Sequence, residues 1–168
     1  MLLVRWATQS IDSIICVSRA VRQNMLDLGI SGGRCHVIYN TYMSSRVPSD
    51  PETDLREELG LDADTPIVGC VGQIAEWKGQ ELFIQAAQIV STVPTPAHFV
   101  IIGDVVDSKE IEYRTKMLRA IDETKKGCKI HWLGYRPYAS QIIGQMDVIV
   151  HASSKEDPLP TIIIEAMS

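Results

Sequence analysis

Two carboxylates near the end of the chain, Asp157 and Glu165, are separated by seven residues in KEDPLPTIIIEAMS (155–168). Pro158 and Pro160 fall in that gap. Prolines lack an amide proton and restrict the residue before them, so Asp157 cannot share a regular helix with Glu165. The pattern predicts a loop at Asp157 and a helix opening at Pro160 or Thr161, with Glu165 about one turn inside it. Carboxylates repel phosphate, so a helix start flanked by acids would hold an anion on its backbone amides. The acids could then accept hydrogen bonds from hydroxyls, and a sugar nucleotide presents both kinds of group. The plain alternative is that Asp157 merely favours the helix start and Glu165 is solvated.

A second cluster lies in VGQIAEWKGQ (71–80). Gly72 closes an apolar run, and Lys78 with Gly79 stands where a helix pattern begins. Outward-pointing amides, a positive helix end and an ammonium together suit a phosphate. The order G-x-x-x-x-G-K-[ST] is absent, so this is not a P-loop. Gly103-Asp104 also follows an apolar run but lacks G-x-G-x-x-G, which argues against ordinary dinucleotide binding. The histidines lie in or beside strand-like runs with no H-x-x-x-H or H-E-x-x-H pattern, so a metal site is not expected. His131, beside Trp132, reads as structural. No G-x-S-x-G nucleophile elbow occurs.

These residues need a scaffold, and the apolar periodicity supplies one. Strand-length runs at 13–18, 35–40, 67–72, 98–104, 129–135 and 147–153 alternate with helical patterns at 19–29, 54–61, 79–93, 111–124, 139–146 and 161–167. Ser18 can cap the first helix and Gly29 can end it. Repeated strand–helix alternation with short connections calls for parallel strands covered on both faces. The expected class is α/β, a doubly wound, mainly parallel Rossmann-like sheet. Such sheets bind ligands at the carboxyl ends of their strands. That points to Gly72-Gln73, Gly103-Asp104, Gly134-Tyr135-Arg136 and the 153–160 loop. The segment TYMSSRVPSDPET is polar with two prolines and reads as a linker. The expected division is therefore 1–41, a linker over 42–53, and 54–168.

The composition is that of a globular protein: of 168 residues, 45% are hydrophobic and 22% charged. A net charge of −5 gives no reason to expect nucleic acid as a partner. The four cysteines form no C-x-x-C pair and read as buried, reduced thiols of a cytoplasmic protein. No run approaches the roughly 18 apolar residues of a membrane span.

In order, these segments resemble the family-4 retaining glycosyltransferases, whose GT-B architecture sets two Rossmann-like domains face to face. IICVSRAVRQNMLDLGI with HVIYNTY is similar to the end of that family's first domain. LREELGL, VGCVGQIAEWKGQELFIQAA, FVIIGD, IHWLGY and MDVIVHASSKEDPLPTIIIEAMS are similar to successive units of its donor-binding domain. The resemblance implies transfer of a sugar from a UDP- or GDP-linked donor, with no metal or other cofactor at the donor site. It implies that Glu165 bonds the nucleotide ribose and that Asp157, or its neighbour Glu156, contacts hydroxyls of the sugar. Lys78 would bind the diphosphate and stabilise the leaving group. Gly72 and Gln73 would adjoin the phosphates, backbone groups around Leu159 and Thr161 would hold sugar and phosphate, and Tyr135-Arg136 would lie near the base. Three positions depart from the family pattern: Asp157 stands where Glu is usual, Gln73 where arginine is common, and Val105 where a glycine is common.

The family's first domain and last strands extend beyond what this chain matches. The expectation is a fragment of a longer enzyme, inactive alone, whose parent works in the cytoplasm at the membrane surface on an acceptor the sequence does not name. Two other readings share the fold: a nucleotide-binding or assembly module that does not catalyse, and a related epimerase or phosphorylase. Exposed apolar surface on an unfinished sheet is expected to drive homodimer formation.

Overall fold

The computed structural model describes residues 10–41, 54–92, 97–124 and 127–168; the linker expected over 42–53 lies outside them. The chain divides into two units, Met1–Tyr42 with Asp157–Thr161, and Met43–Glu156 with Ile162–Ser168.

In the first unit, strand β1 (Ile14–Cys16), helix α1 (Arg19–Asp27) and strand β2 (Cys35–Val37) make a small β-α-β element. The strands pair in parallel with Ile14 opposite Cys35 and Cys16 opposite Val37. Ser18 caps α1 as expected, its hydroxyl accepting the Val21 N–H at 3.2 Å. Gly29, at φ 82°, ends it. Cys16, Ile30 and Cys35 are buried beneath Val21 and Met25 of α1.

The second unit begins with α2 (Leu55–Leu59), capped by Asp54, whose carboxylate accepts from the Arg56 and Glu57 amides. There follow β3 (Ile67–Val71), α3 (Gln80–Val90), β4 (His98–Ile102), α4 (Ile111–Asp122), β5 (Lys129–Trp132), α5 (Ala139–Ile143), β6 (Val148–Ile149) and α6 (Thr161–Ala166). The last of these begins at Thr161 of the first unit. The four strands form one parallel sheet in the order β5-β4-β3-β6.

Both faces of the sheet are covered, because the strands are apolar on both sides. Cys70, Phe99 and Ile101 point to one face and pack with Ile74, Phe83, Ile84 and Ala87 before and along α3, and with Tyr113 and Met117 of α4. Ile67, Val100 and Ile102 point to the other, against Leu55 of α2 and Ile142 of α5. This is the doubly wound α/β arrangement expected from the alternation.

The near end of the sheet is tied by Arg56. Its guanidinium donates to the carbonyls of Ala63 (3.0 Å), Gln145 (2.8 Å) and Thr65 (3.3 Å), and to the Asp147 carboxylate (3.2 Å). Asp147 in turn accepts the Ile67 N–H at 2.7 Å, fixing where β3 begins. Strand β6 is shorter than the expected 147–153. Beyond Val150 the chain leaves the sheet, and the Ser154 N–H is bonded to the Trp77 carbonyl at 2.8 Å. Among the thiols, Cys16, Cys35 and Cys70 are buried, but Cys128 is half-exposed, since it sits in the turn before β5 and not in a strand. No helix among the described residues is long and apolar enough to cross a membrane.

His98 and His131 face each other across β4 and β5, with ring nitrogens 2.9 Å apart and rings stacked at 5.1 Å. Burial holds both below the usual histidine range; the Lys129 charge acts on each in the same direction, and His98 also lowers His131. Both folded-state values therefore lie below the unfolded value, and the unfolded chain binds more protons in the window between them. This contribution to stability is complete above about pH 6.5 and is lost as pH falls through the folded values. We expect the melting temperature to drop between about pH 7.5 and about pH 5, and to drop less in His131→Gln. An equal fall in both proteins would show that the pair does not control this limb.

Candidate functional site

In the second unit the strand order reverses at β3. The chain passes outward through β4 and β5, then returns to place β6 on β3's other side. The connections after β3 and β6 therefore leave in different directions, the arrangement at which sheets of this kind bind ligands beyond the carboxyl ends of their strands. Gly72-Gln73, the Lys78 turn and the segment after Val150 all meet there.

The approach is close enough to require glycine. Gly103, at φ 137°, packs so tightly on Gly72 that a side-chain carbon would stand 1.8 Å from the Gly72 carbonyl oxygen. Hydrogen bonds run across these strand ends, from Gly72 N–H to Ile102 O (2.9 Å), from Gly103 N–H to Gly134 O (2.8 Å) and from Ile74 N–H to Asp104 O (3.0 Å). Trp132 adds an indole N–H to the Gly103 carbonyl at 2.9 Å. The Asp104 carboxylate accepts the Val105 N–H (2.7 Å) and the Arg114 guanidinium (3.0 Å), which together hold it below the usual carboxylate range. Asp104 thus works inside the loop, with its charge already matched.

Lys78 lies in a short 3₁₀ turn, Glu76–Lys78, and Gly79 caps α3 in the left-handed conformation. The Lys78 ammonium lies 4.3 Å from the centre of the Trp77 ring, a cation–π contact. Its charge also reaches the Cys70 thiol in β3. Burial nevertheless pushes that thiol up to about 12, so Cys70 is a packing residue and not a nucleophile. Gly79 abuts Ala152, and Ser154 binds the Trp77 carbonyl, so the Lys78 turn and the segment after β6 are strapped together.

Tyr135 and Arg136 behave differently from each other. Tyr135 is 72% exposed. The Arg136 guanidinium is paired with Glu58 of α2, which commits its charge within the unit. Glu165 is half-buried in α6, and its carboxylate has no partner among the described residues. Helical spacing places it off the face that carries Ile163 and Met167, which line an apolar groove of about 280 Å³ with Ile143, Met146 and Ile149. Asp157, Leu159 and Thr161 group with the first unit, whereas Gly72, Gln73, Lys78, Tyr135, Arg136 and Glu165 belong to the second. Asp157 and Leu159 are half-buried and Thr161 is exposed.

Sequence reasoning passed over Trp77, Gln80 and Ser154. Gln80 follows Lys78-Gly79 directly, but glutamine at a helix start reads as a surface residue; here it is 2% exposed. Its place beside the lysine was the signal available. A separate groove of about 590 Å³ between the Glu76 turn and α4 is lined by acids and bases together, among them Glu110, Glu112, Lys116 and Arg119, a mixture that favours neither sign of ligand.

Comparison with known proteins places the fold among glycosyltransferases. The chain is 26% identical over 170 residues to the GPI3 subunit of phosphatidylinositol N-acetylglucosaminyltransferase of Saccharomyces cerevisiae, covering 99% of this chain and 36% of that one. It is 23% identical over 135 residues to the lipopolysaccharide 1,2-N-acetylglucosaminetransferase of Salmonella typhimurium, covering 79% of this chain and 35% of the other. The chain thus spans about a third of the length of these curated relatives. In fold it superimposes on HepE of Anabaena, solved with UDP-glucose, with a TM-score of 0.83 at 24% identity, over 99% of this chain and 45% of that one. The family model for glycosyl transferases group 1 matches residues 51–168, and with most of the chain inside that match, the protein belongs to the glycosyl transferases group 1 family.

Proposed function

We propose that the chain forms the donor-binding part of a glycosyltransferase that moves a sugar from a UDP-linked donor to an acceptor with retention of anomeric configuration. The observation that carries this is the meeting of Gly72-Gln73 and the Lys78 turn at the carboxyl ends of β3 and β6, where the strand order reverses. In this reading Lys78 and the Gln73 amide take the diphosphate, Glu165 accepts from the ribose, and Tyr135 lies against the base. The UDP assignment is supported by the UDP-glucose complex of HepE. The names of the two curated relatives favour N-acetylglucosamine as the transferred sugar.

Lys78 would act chiefly on the leaving group. As the glycosidic bond breaks, negative charge grows on the diphosphate, and a fixed ammonium stabilises that charge more in the transition state than in the ground state. Because the relatives are about three times as long, we propose that this chain alone binds donor without turning it over. We further propose that the transfer uses an acceptor at a membrane surface, a reading supported by the phosphatidylinositol in one relative's name.

Calorimetric titration with UDP, GDP and UDP-N-acetylglucosamine tests the reading. UDP should bind more tightly than GDP, and Lys78→Ala and Glu165→Gln should each weaken it by about 10- to 100-fold, the loss of one charge-assisted contact. No binding by the folded chain, or equal binding by the variants, would overturn it. A second reading, a nucleotide-binding module that does not transfer, is favoured by the neutral side chain of Gln73. Equal affinity for UDP and its sugar conjugate would support that reading.

A further inference from the structure

Among the described residues, Gln80 is a fully buried polar side chain that the chemistry above does not use. At 2% exposure its amide would be costly unless both ends were bonded. Its Nε2 donates to the Gln73 carbonyl at 2.8 Å. Its Oε1 accepts the Tyr113 hydroxyl at 3.5 Å, and that hydroxyl accepts the Glu81 N–H at 3.2 Å. Tyr113 is itself buried, which raises its phenol above the ordinary range and keeps it a proton donor.

The bond to Gln73 has a particular geometry. The Gln73 carbonyl and the Ile74 N–H are the two polar ends of one peptide plane. The carbonyl is taken by Gln80 from α3, and the N–H is taken by the Asp104 carbonyl from the loop after β4, at 3.0 Å. One plane is therefore pinned at both ends by different elements. The bonds about which this plane turns are its flanking ones, Cα–C of Gln73 and N–Cα of Ile74, so the hydrogen bonds at its two ends are what restrain it. Without the Gln80 bond, the plane could turn and present its carbonyl oxygen, a partial negative charge, to an approaching phosphate.

We infer that Gln80 is a positioning residue: by holding the Gln73 carbonyl against α3, it keeps the 73–74 peptide in the one orientation that lets the loop after β3 accept an anion. The inference rests on the nucleotide reading above and deepens it, because it assigns the loop's competence to a side chain that never touches the ligand.

Gln80→Leu tests it, since leucine nearly matches the buried volume and removes both hydrogen bonds. Gln80→Glu keeps the acceptor for Tyr113 and removes the donor to Gln73, and it serves if the leucine variant fails to fold. Ile142→Ala, a change to a buried core residue on the opposite face of the sheet, controls for lost stability. Hydrogen exchange at the Ile74 amide should quicken by about tenfold or more in the Gln80 variants, relative to the amides of β4, and UDP affinity should fall by about tenfold. Ile142→Ala should raise exchange throughout the sheet and leave affinity unchanged. Unchanged Ile74 exchange, or UDP affinity equal to that of the unaltered chain, would overturn the inference. Should the unaltered chain bind no UDP, the nucleotide reading falls by itself. The Ile74 exchange then decides the clamp alone: selective quickening upholds it, and a uniform or absent change overturns it.

Discussion

Replacing Gly79 by alanine should cost about 3 kcal/mol of stability and should weaken UDP binding in whatever fraction remains folded. Two penalties act on the same atom. Gly79 has φ 75°, a left-handed conformation in which a side-chain carbon meets its own backbone, at about 1–2 kcal/mol. The added carbon would also stand 2.0 Å from the Ala152 carbonyl oxygen and 2.8 Å from its carbonyl carbon. Those are backbone atoms, and they cannot swing aside as a flexible side chain would. The segment after β6 must then move away from the Lys78 turn, which breaks the bond from Ser154 N–H to Trp77 O. Stability loss and binding loss should thus appear together. Gly144→Ala is the control: its φ is not positive, and the nearest atom would be 3.8 Å away. Urea unfolding beside UDP titration reads both effects. A loss under about 1 kcal/mol for Gly79→Ala would mean that the segment after β6 yields freely and that the strap is not a structural element.

Phe99→Ala should be still more damaging, at about 4 kcal/mol. Phe99 is 3% exposed in the middle of the central sheet, and it meets Phe83 of α3 edge-on, with ring centres 6.0 Å apart at 72°. Removing the ring loses its burial, leaves a cavity that Phe83 and Met117 cannot fill without shifting, and ends the aromatic contact, itself worth about 1 kcal/mol. Since α3 carries Gln80 at its start, loosening its contact with β4 should also be felt at the loop after β3. The measurement is the denaturation midpoint with the slope compared to the unaltered chain. Phe99→Leu should recover more than half of the loss, because leucine refills most of the space. Equal losses for the two variants would show that volume is not what Phe99 supplies.

The sequence by itself determined the class of fold and the identity of the strand-end loops. Runs such as IVGCVG and HFVII are apolar on both faces, which only a sheet covered twice can bury, and the helical patterns between them require parallel pairing. The left-handed helix ends were legible from Gly29, and the first cap from Ser18, because these effects act within a few residues. Lys78 and Gly72 stood out for the same reason: charge, glycine and a strand end lie close together along the chain.

What the tertiary structure decided is everything that depends on which strand lies beside which. The order β5-β4-β3-β6 places the reversal at β3, and no local pattern encodes it, since a parallel strand carries the same apolar run on either side of its neighbour. From that order follow the strap between Trp77 and Ser154 and the pairing of Arg136 with Glu58, 78 positions away in the chain. An arginine reads as a surface residue until a distant carboxylate meets it. Burial, not residue type, made Gln80 a structural group and Cys70 an inert one, and burial is a property of the folded neighbourhood.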